Sequence, residues 1–274
     1  MGRMTKKTGK GKTITFQLHC HTDASHDSES KIEEIIGECE KRGIDAIAIT
    51  DHNVPFDMKR IKGIKTNVKV VPGIEVNSED DSDIIGLFIT KPIKARKNIE
   101  IVREIHKQGG IAVLPHPFRR YQGYLSPLKK RSRKEVEEML SEIDAVEIYN
   151  GKCSPEENRK AKEFFRSRGI PVLGGSDAHT PREIKNILNI FKISSNFKTD
   201  KGDAGMRKAI LEAERDIIVH PAYKYLTLTE YRMRRTLKKA AQKAGIRKNS
   251  RIYRKGRKFV IESAKKFRKV AGVK

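Results

Sequence analysis

The sequence predicts a parallel α/β fold closed, or nearly closed, into a barrel. Strand-like apolar runs alternate with amphipathic helical stretches at the spacing of βα units. Polar residues close many of those strands. HCH, TDH, GIE, PHP, YNG and SDAH all fall at C-terminal ends, the rim on which a βα barrel builds its site. A dinucleotide-binding sheet would instead gather its polar residues at one switch point, and its glycine fingerprint is absent.

The first predicted strand, 13–22, is rich in β-branched residues. A helix over 30–43 follows, with Ser30 and Glu33 as a capping box, Ile32, Ile35, Ile36 and Cys39 as its apolar stripe and Gly43 as its stop. Residues 45–53 form a near-continuous apolar run, the pattern of a parallel strand buried on both faces. Further strands are predicted at 68–77, 83–90, 110–117, 144–151, 170–179, 187–194 and, more weakly, 216–220. Helices fall near 98–108, 134–141, 155–168 and 203–214, the third capped by Ser154 with Pro155 and Glu157 in its first turn. Beyond them, Thr227 and Glu230 box a helix with an apolar line of Met233, Leu237, Ala240 and Ala244. A basic loop, 247–258, leads to a second short helix carrying Val260, Ala264 and Phe267. The chain thus divides into a basic N-terminal tail (1–12), a barrel (13–222) and a basic, mainly helical C-terminal extension (223–274).

The 274 residues suffice for one large core, but 34% are charged and only 36% are hydrophobic. The net charge is +24, and residues 221–274 supply a surplus of 17 through 19 Lys/Arg against Glu230 and Glu262. Residues 1–12 add five basic side chains and no acid, so the stretch between is almost neutral. That asymmetry is expected of a catalytic body with polyanion-contacting ends, which makes nucleic acid the expected partner of the C-terminal segment. Cys20, Cys39 and Cys153 are too few and scattered for a disulfide framework, so a reducing, cytoplasmic setting is expected. No uncharged apolar run approaches the roughly 20 residues of a membrane span, and no membrane contact is predicted.

Metal chemistry is written at the strand ends. His19 and His21, two apart on one strand, point to the same face. Asp27 follows in the next loop, Asp51 and His52 close the second strand, Glu75 the third, His116 a later one, and Asp177 with His179 another. Each alone has an ordinary reading as a cap or an exposed polar residue; their joint placement points to a multinuclear site. Imidazole mixed with carboxylate suits Zn, Mn or Fe better than Mg or Ca. Asp51 is read as an orienting acceptor behind His52, and these two with Arg119 are the candidate catalytic residues. Arg119 and Arg120 offer guanidinium forks to phosphate oxygens. Gly174 and Gly175 would let the backbone approach the site closely.

The ordered series His-x-His, the Asp six residues on, TDH, PGIE, PHP and SDAH resembles the motif set of the polymerase-and-histidinol-phosphatase (PHP) superfamily, well over 19–179 and plausibly to about 220. The resemblance implies a distorted (β/α)7 barrel holding two or three divalent transition-metal ions, Zn, Mn or Fe. It further implies that His19, His21, Glu75 and Asp177 hold one ion, that Glu75 bridges to a second held by His116, and that Asp27, His52 and His179 hold a third. Many relatives carry another histidine on the strand after PHP. Here that strand is DAVEIYNG, so Asn150 is the expected stand-in, also a substrate-binding candidate, with Glu147 behind it. The implied activity is hydrolysis of a phosphorylated substrate, nucleotides or nucleic acid foremost, by metal-activated water. A small-molecule phosphatase, such as one for histidinol phosphate, and a non-catalytic RNA-binding barrel are the alternatives.

Overall fold

The computed structural model describes residues 12–193 and 202–220, with a few isolated positions nearer the C-terminus. The helices proposed beyond residue 222 and the N-terminal tail lie outside the described residues, apart from those few positions and Lys12. The elements run β1 (Lys12–Gln17), α1 (Ile32–Lys41), β2 (Ala46–Ile49), β3 (Lys69–Asn77), β4 (Asp83–Leu87), α2 (Asn98–Lys107), β5 (Ile111–Leu114) and α3 (Arg133–Glu142). They continue as β6 (Ala145–Asn150), α4 (Pro155–Phe165), β7 (Val172–Gly175), β8 (Ile187–Ile193), α5 (Asp203–Glu212) and β9 (Glu214–Val219). Among the described residues no helix is long and apolar enough to cross a membrane.

The nine strands form one curved sheet in the order β7-β6-β5-β4-β3-β2-β1-β8-β9, nearly closed into a barrel. Parity along the strands sorts the core. Ala46 and Ala48 of β2 join Phe16, Leu18, Val71, Leu87, Val113 and Phe191 in one cluster, whereas Ile47 and Ile49 pack outward against Ile32, Ile35 and Cys39 of α1. Phe16 stacks on Phe191 with ring centroids 5.7 Å apart. Truncating such a buried ring to alanine costs about 3–5 kcal/mol. Where β7 and β8 share no ladder, the buried Asn189 amide closes the seam. Its Oδ1 accepts from Gly174 N and its Nδ2 donates to Gly174 O, both at 2.8 Å. At the N-terminal end α5 covers the barrel, with Met206, Ala209 and Ile210 in the interior cluster and Asp203 paired to Lys69 at 2.7 Å.

Two expectations need correction. The strands are not all parallel: β4 runs antiparallel to both β3 and β5, and β8 antiparallel to β1 and β9. The link from Asn77 to Asp83 is five residues, too short for the crossover of a dozen or more that a parallel pair needs. It closes instead as a hairpin, Ser78 N–H donating to Ser82 O at 2.8 Å. The α1 cap is also displaced. Lys31 is the N-cap and its N–H donates to Glu34, while Ser30 Oγ donates to the His179 carbonyl. Burial explains the shift, because Ser30 is 3% exposed at the rim and its hydroxyl satisfies the part-buried His179 carbonyl there. The α3 and α4 caps, Ser132 with Glu135 and Ser154 with Glu157, are complete capping boxes.

Candidate metal centre

The C-terminal ends of β1, β2, β3, β5 and β7 converge on one rim, and the antiparallel β4 begins there. Parallel bridges continue the strands into it, Cys20 with Ala178 and His52 with Glu75. His116 and Asp177 take φ of 29° and 51°, left-handed values rare outside glycine. Such strain persists where the surroundings hold it and gathers at functional positions.

The side chains form three adjoining sets about Glu75. Glu75 Oε2 lies 3.3 Å from His19 Nε2 and 3.4 Å from His21 Nε2, and Asp177 Oδ1 faces the same two nitrogens at 3.9 and 3.5 Å. The other oxygen, Glu75 Oε1, lies 3.1 Å from His116 Nε2, which is 3.7 Å from Asp83 Oδ2. Asp27 stands between His52 Nε2 at 3.6 Å and His179 Nε2 at 3.2 Å, while His52 Nδ1 reaches Glu75 Oε2 at 3.1 Å. His19, His21, Glu75 and His116 are buried, and Asp27 forms the open side with its side chain 34% exposed.

Supporting groups settle how the imidazoles face. Glu147 Oε1 accepts from His19 Nδ1 at 2.9 Å, which turns Nε2 toward Glu75. Ser25 Oγ donates to Asp51 Oδ1 at 2.8 Å and accepts from His21 Nδ1 at 3.1 Å and from His52 N at 3.0 Å. Asp51 is otherwise taken by Thr22, through its N–H and hydroxyl. Its reach to His52 therefore passes through the Ser25 hydroxyl to the backbone, and the ring it helps orient is that of His21.

The charges lean one way. Burial alone would lower the His19 pKa, but Glu75, Glu147 and Asp177 together hold it well above its ordinary value. For His52 burial is likewise outweighed, by Glu75 and Asp27, and its pKa rises to about 9. Burial opposes ionisation of Glu75, Asp27 and Asp177, yet the imidazoles around them, with Arg119 beside Asp177, hold all three low. His21 goes the other way, lowered to about 3 by burial and by His179, so it is a neutral imidazole. Burial and Glu75 push Asp83 up to about 7.

Whether these residues suit metal ions is answered by atoms that the protein leaves without a hydrogen bond. His19 Nε2, His21 Nε2, Asp27 Oδ1, Asp83 Oδ2 and His116 Nδ1 are all buried without a hydrogen-bond partner. Orphaned donors and acceptors of that kind are rare unless an ion or water completes them. The groups His19–His21–Glu75, His19–His116–Asp177, Glu75–Asp83–His116 and His21–His52–His179 each bring their ligand atoms within 4.8 Å of one another. The set fits divalent metal.

The PHP domain family matches residues 17–260 of this chain. The chain belongs to that family. An uncharacterized protein of Methanocaldococcus jannaschii is 32% identical over 146 residues, 48% of this chain and 80% of that relative. A probable phosphatase of Caldicellulosiruptor bescii is 26% identical over 197 residues, 62% of this chain and 82% of the relative. In fold, this PHP domain is similar to a two-domain protein from Bacteroides vulgatus containing a predicted PHP-like metal-dependent phosphoesterase. The TM-score is 0.59 at 16% identity, over 77% of this chain and 66% of that one. It is also similar to a lesion-specific endonuclease of Pyrococcus furiosus, with a TM-score of 0.56 at 18% identity, over 75% of this chain and 58% of that one. Identities this low speak for the fold alone.

The PHP domain thus gathers His19, His21, Asp27, His52, Glu75, His116, Asp177 and His179 in one place. Arg119 reaches it too, donating from Nη1 to Asp177 Oδ2 at 2.8 Å. Arg120 sits outside, with its backbone N–H on Glu157 and its guanidinium 5.7 Å from the Tyr121 ring centroid. The Asn150 side chain donates to Glu147 Oε2 and accepts from Lys152 N, both at 2.8 Å, so it meets the centre through Glu147. His106 lies elsewhere, 2.9 Å from Asp144. Gly175 does allow close approach: a Cβ there would stand 2.8 Å from His19 Cβ and inside the Glu147 carboxylate. Sequence reasoning missed Asp83. The five-residue gap before it, which identifies a hairpin, was the signal that its strand starts at the rim.

Proposed function

We propose that this PHP domain hydrolyses phosphoesters of nucleotides or nucleic acid with water activated by two or three divalent ions. Hydrolysis of phosphoester bonds is the chemistry of the chain; the substrate class and the ion number are the proposed part. The observation that carries it is Glu75, which turns one oxygen to His19 and His21 and the other to His116. Ions held by these sets would lower the pKa of a bound water and polarise the phosphoryl oxygens.

The chain's own residues then have distinct tasks. Glu147 holds the His19 ring, and the Ser25–Asp51 pair holds that of His21. Asp83 takes the place at the Glu75–His116 set for which Asn150 was the expected stand-in. Arg119, anchored on Asp177, keeps further N–H donors for a phosphate oxygen, where a planar fork matches the geometry. Tyr124 and Arg131 brace the loop after His116, the guanidinium lying 3.6 Å from the ring centroid.

Nucleic acid is favoured by charge, since a small phosphate pocket would not call for +24 with its surplus at the ends. The basic segment after residue 220 is taken to add affinity for the polyanion. Cys20, Cys39 and Cys153 are buried thiols, in keeping with a reducing, cytoplasmic setting. A small-molecule phosphatase is the second reading, favoured by the likeness to probable phosphatases. The test is a substrate panel of bis(p-nitrophenyl) phosphate, mononucleotides, histidinol phosphate, oligonucleotides and duplex with an abasic lesion. The abasic duplex is included because an endonuclease Q of similar fold was crystallised with one. Turnover of oligonucleotides above the small esters at low salt is expected. Turnover confined to histidinol phosphate or mononucleotides would replace the reading with the second.

A further inference from the structure

The loop that follows His116 has a composition the metal centre does not require. Residues 119–134 contain Arg119, Arg120, Lys129, Lys130, Arg131, Arg133 and Lys134, seven basic side chains and no acid. In a domain whose residues 13–220 are almost neutral, this concentrates positive charge on one segment.

The segment is held at the rim. Its Gln122 carbonyl accepts from Asp83 N at 3.0 Å, beside the centre. Arg131 donates to Asp80 and, at 3.0 Å, to Ser82 Oγ in the β3–β4 hairpin, and Lys129 pairs with the same Asp80. Tyr124 is buried, and its hydroxyl donates to the Glu135 carbonyl at 3.1 Å. Three of the seven cations are therefore used within the protein: Arg119 on Asp177, and Lys129 and Arg131 on Asp80.

The other four face solvent. Arg120, Lys130, Arg133 and Lys134 are exposed, and among the described residues none is paired with a carboxylate. Arg133 and Lys134 open α3, whose N-terminus lies at the rim because a βα crossover starts its helix at the end where its strand stops. Leu128 between them is 52% exposed. Together they form a cationic ridge along the segment that runs from Arg119 at the metal centre to the start of α3.

We propose that this ridge is a track for the sugar–phosphate backbone of a single-stranded nucleic acid whose scissile or terminal phosphate enters the centre beside Arg119. The inference rests on the nucleic-acid reading above and extends it. A single strand fits because the candidate ligands are recessed: His19 and His21 are 0% exposed, so the phosphate must leave the company of its neighbours to reach them. Four backbone contacts would each release counterion, with a log–log salt slope near −0.7 per contact for single strands.

The full-length variant Arg120→Ala/Lys130→Ala/Arg133→Ala/Lys134→Ala, loaded with Mn, tests this. None of the four touches the metal centre, so turnover of bis(p-nitrophenyl) phosphate is expected to match the wild type, which also reports folding. KM for a labelled single-stranded oligonucleotide is expected to rise at least about tenfold at low salt, and the salt slope to fall by about 2–3. A wild-type KM and slope in the variant would overturn the ridge while leaving the nucleic-acid reading in place. Failure of the wild type itself to bind or cleave any oligonucleotide would remove both. A loss confined to duplex DNA would overturn the choice of a single strand.

Discussion

At the residue scale, the centre depends on which atoms are left over once the protein has satisfied itself. Asp83 is the sharpest case. It is 1% exposed, its Oδ2 has no hydrogen-bond partner, and it faces His116 at 3.7 Å. Asp83→Ala is therefore expected to lose one bound ion per chain, read by elemental analysis of the purified protein. Asn150→Ala, which removes the bond to Glu147, is expected to retain that ion. The reverse pattern would return the ligand position to Asn150. Glu147→Gln keeps the volume but weakens the hold on His19 Nδ1, and removal of such an orienting partner lowers metal affinity by roughly 10–100-fold. Titration of metal into the apo variant measures it, and an unchanged affinity would mean that Glu147 only fills space. The histidines and most carboxylates of the site were legible in the sequence because strand-end position and two-residue spacing fix which way a side chain points. Ser25, Thr22 and the support that Glu147 gives to His19 were not, since short-range pattern says nothing of partners 26, 29 or 128 residues away.

At the element scale, the β3–β4 hairpin explains both what was read and what was missed. The apolar runs identified the strands, and parity of burial identified their faces. Direction was misread because alternation of strands with helices was extended to a gap too short to hold a helix. The displaced α1 cap has a similar cause: Ser30 has the right chemistry for a cap but is drawn to a part-buried carbonyl 149 residues away, in the loop after β7. The hairpin turn is organised by Asp80, which accepts from Ser78 Oγ, Ser82 N, Asn98 Nδ2 and Arg131. Although burial opposes its ionisation, those donors hold the Asp80 pKa below the usual carboxylate range. A depressed folded pKa contributes stability that is fully present above the unfolded value, near 3.9, and is lost as pH falls through the folded value. Asp80→Asn is thus expected to destabilise the domain by about 1–2 kcal/mol at pH 7, with the gap to wild type closing on acidification below about pH 4. Urea melts at pH 7 and pH 3.5 measure this. A gap that is the same at both would show that the carboxylate charge is not what the turn uses.

At the scale of the whole molecule, a nearly closed barrel places residues from the ends of six strands and from two loops within reach of one another, while the Asn189 seam and the α5 plug hold the rest of the ring. The centre carries four carboxylates, Asp27, Glu75, Asp83 and Asp177, among buried imidazoles. Without cations that arrangement is costly, as the raised His19 and His52 indicate. Metal should therefore stabilise the folded state in proportion to its binding, by about 2.7 kcal/mol at a hundredfold excess over Kd. Thermal melts of stripped and Mn-loaded protein check this, and coincident melting temperatures would contradict it. The most direct measurement of the central claim is hydrolysis of bis(p-nitrophenyl) phosphate by wild type and Glu75→Gln, followed with ion content through chelation and reloading. The wild type is expected to carry two or three ions, to lose activity on chelation and to regain it with Mn or Zn. Glu75→Gln should fold yet hold fewer ions and fall by more than the roughly 10–100-fold that loss of a mere orienting partner costs. A folded Glu75→Gln protein with wild-type ion content and wild-type turnover would contradict the account.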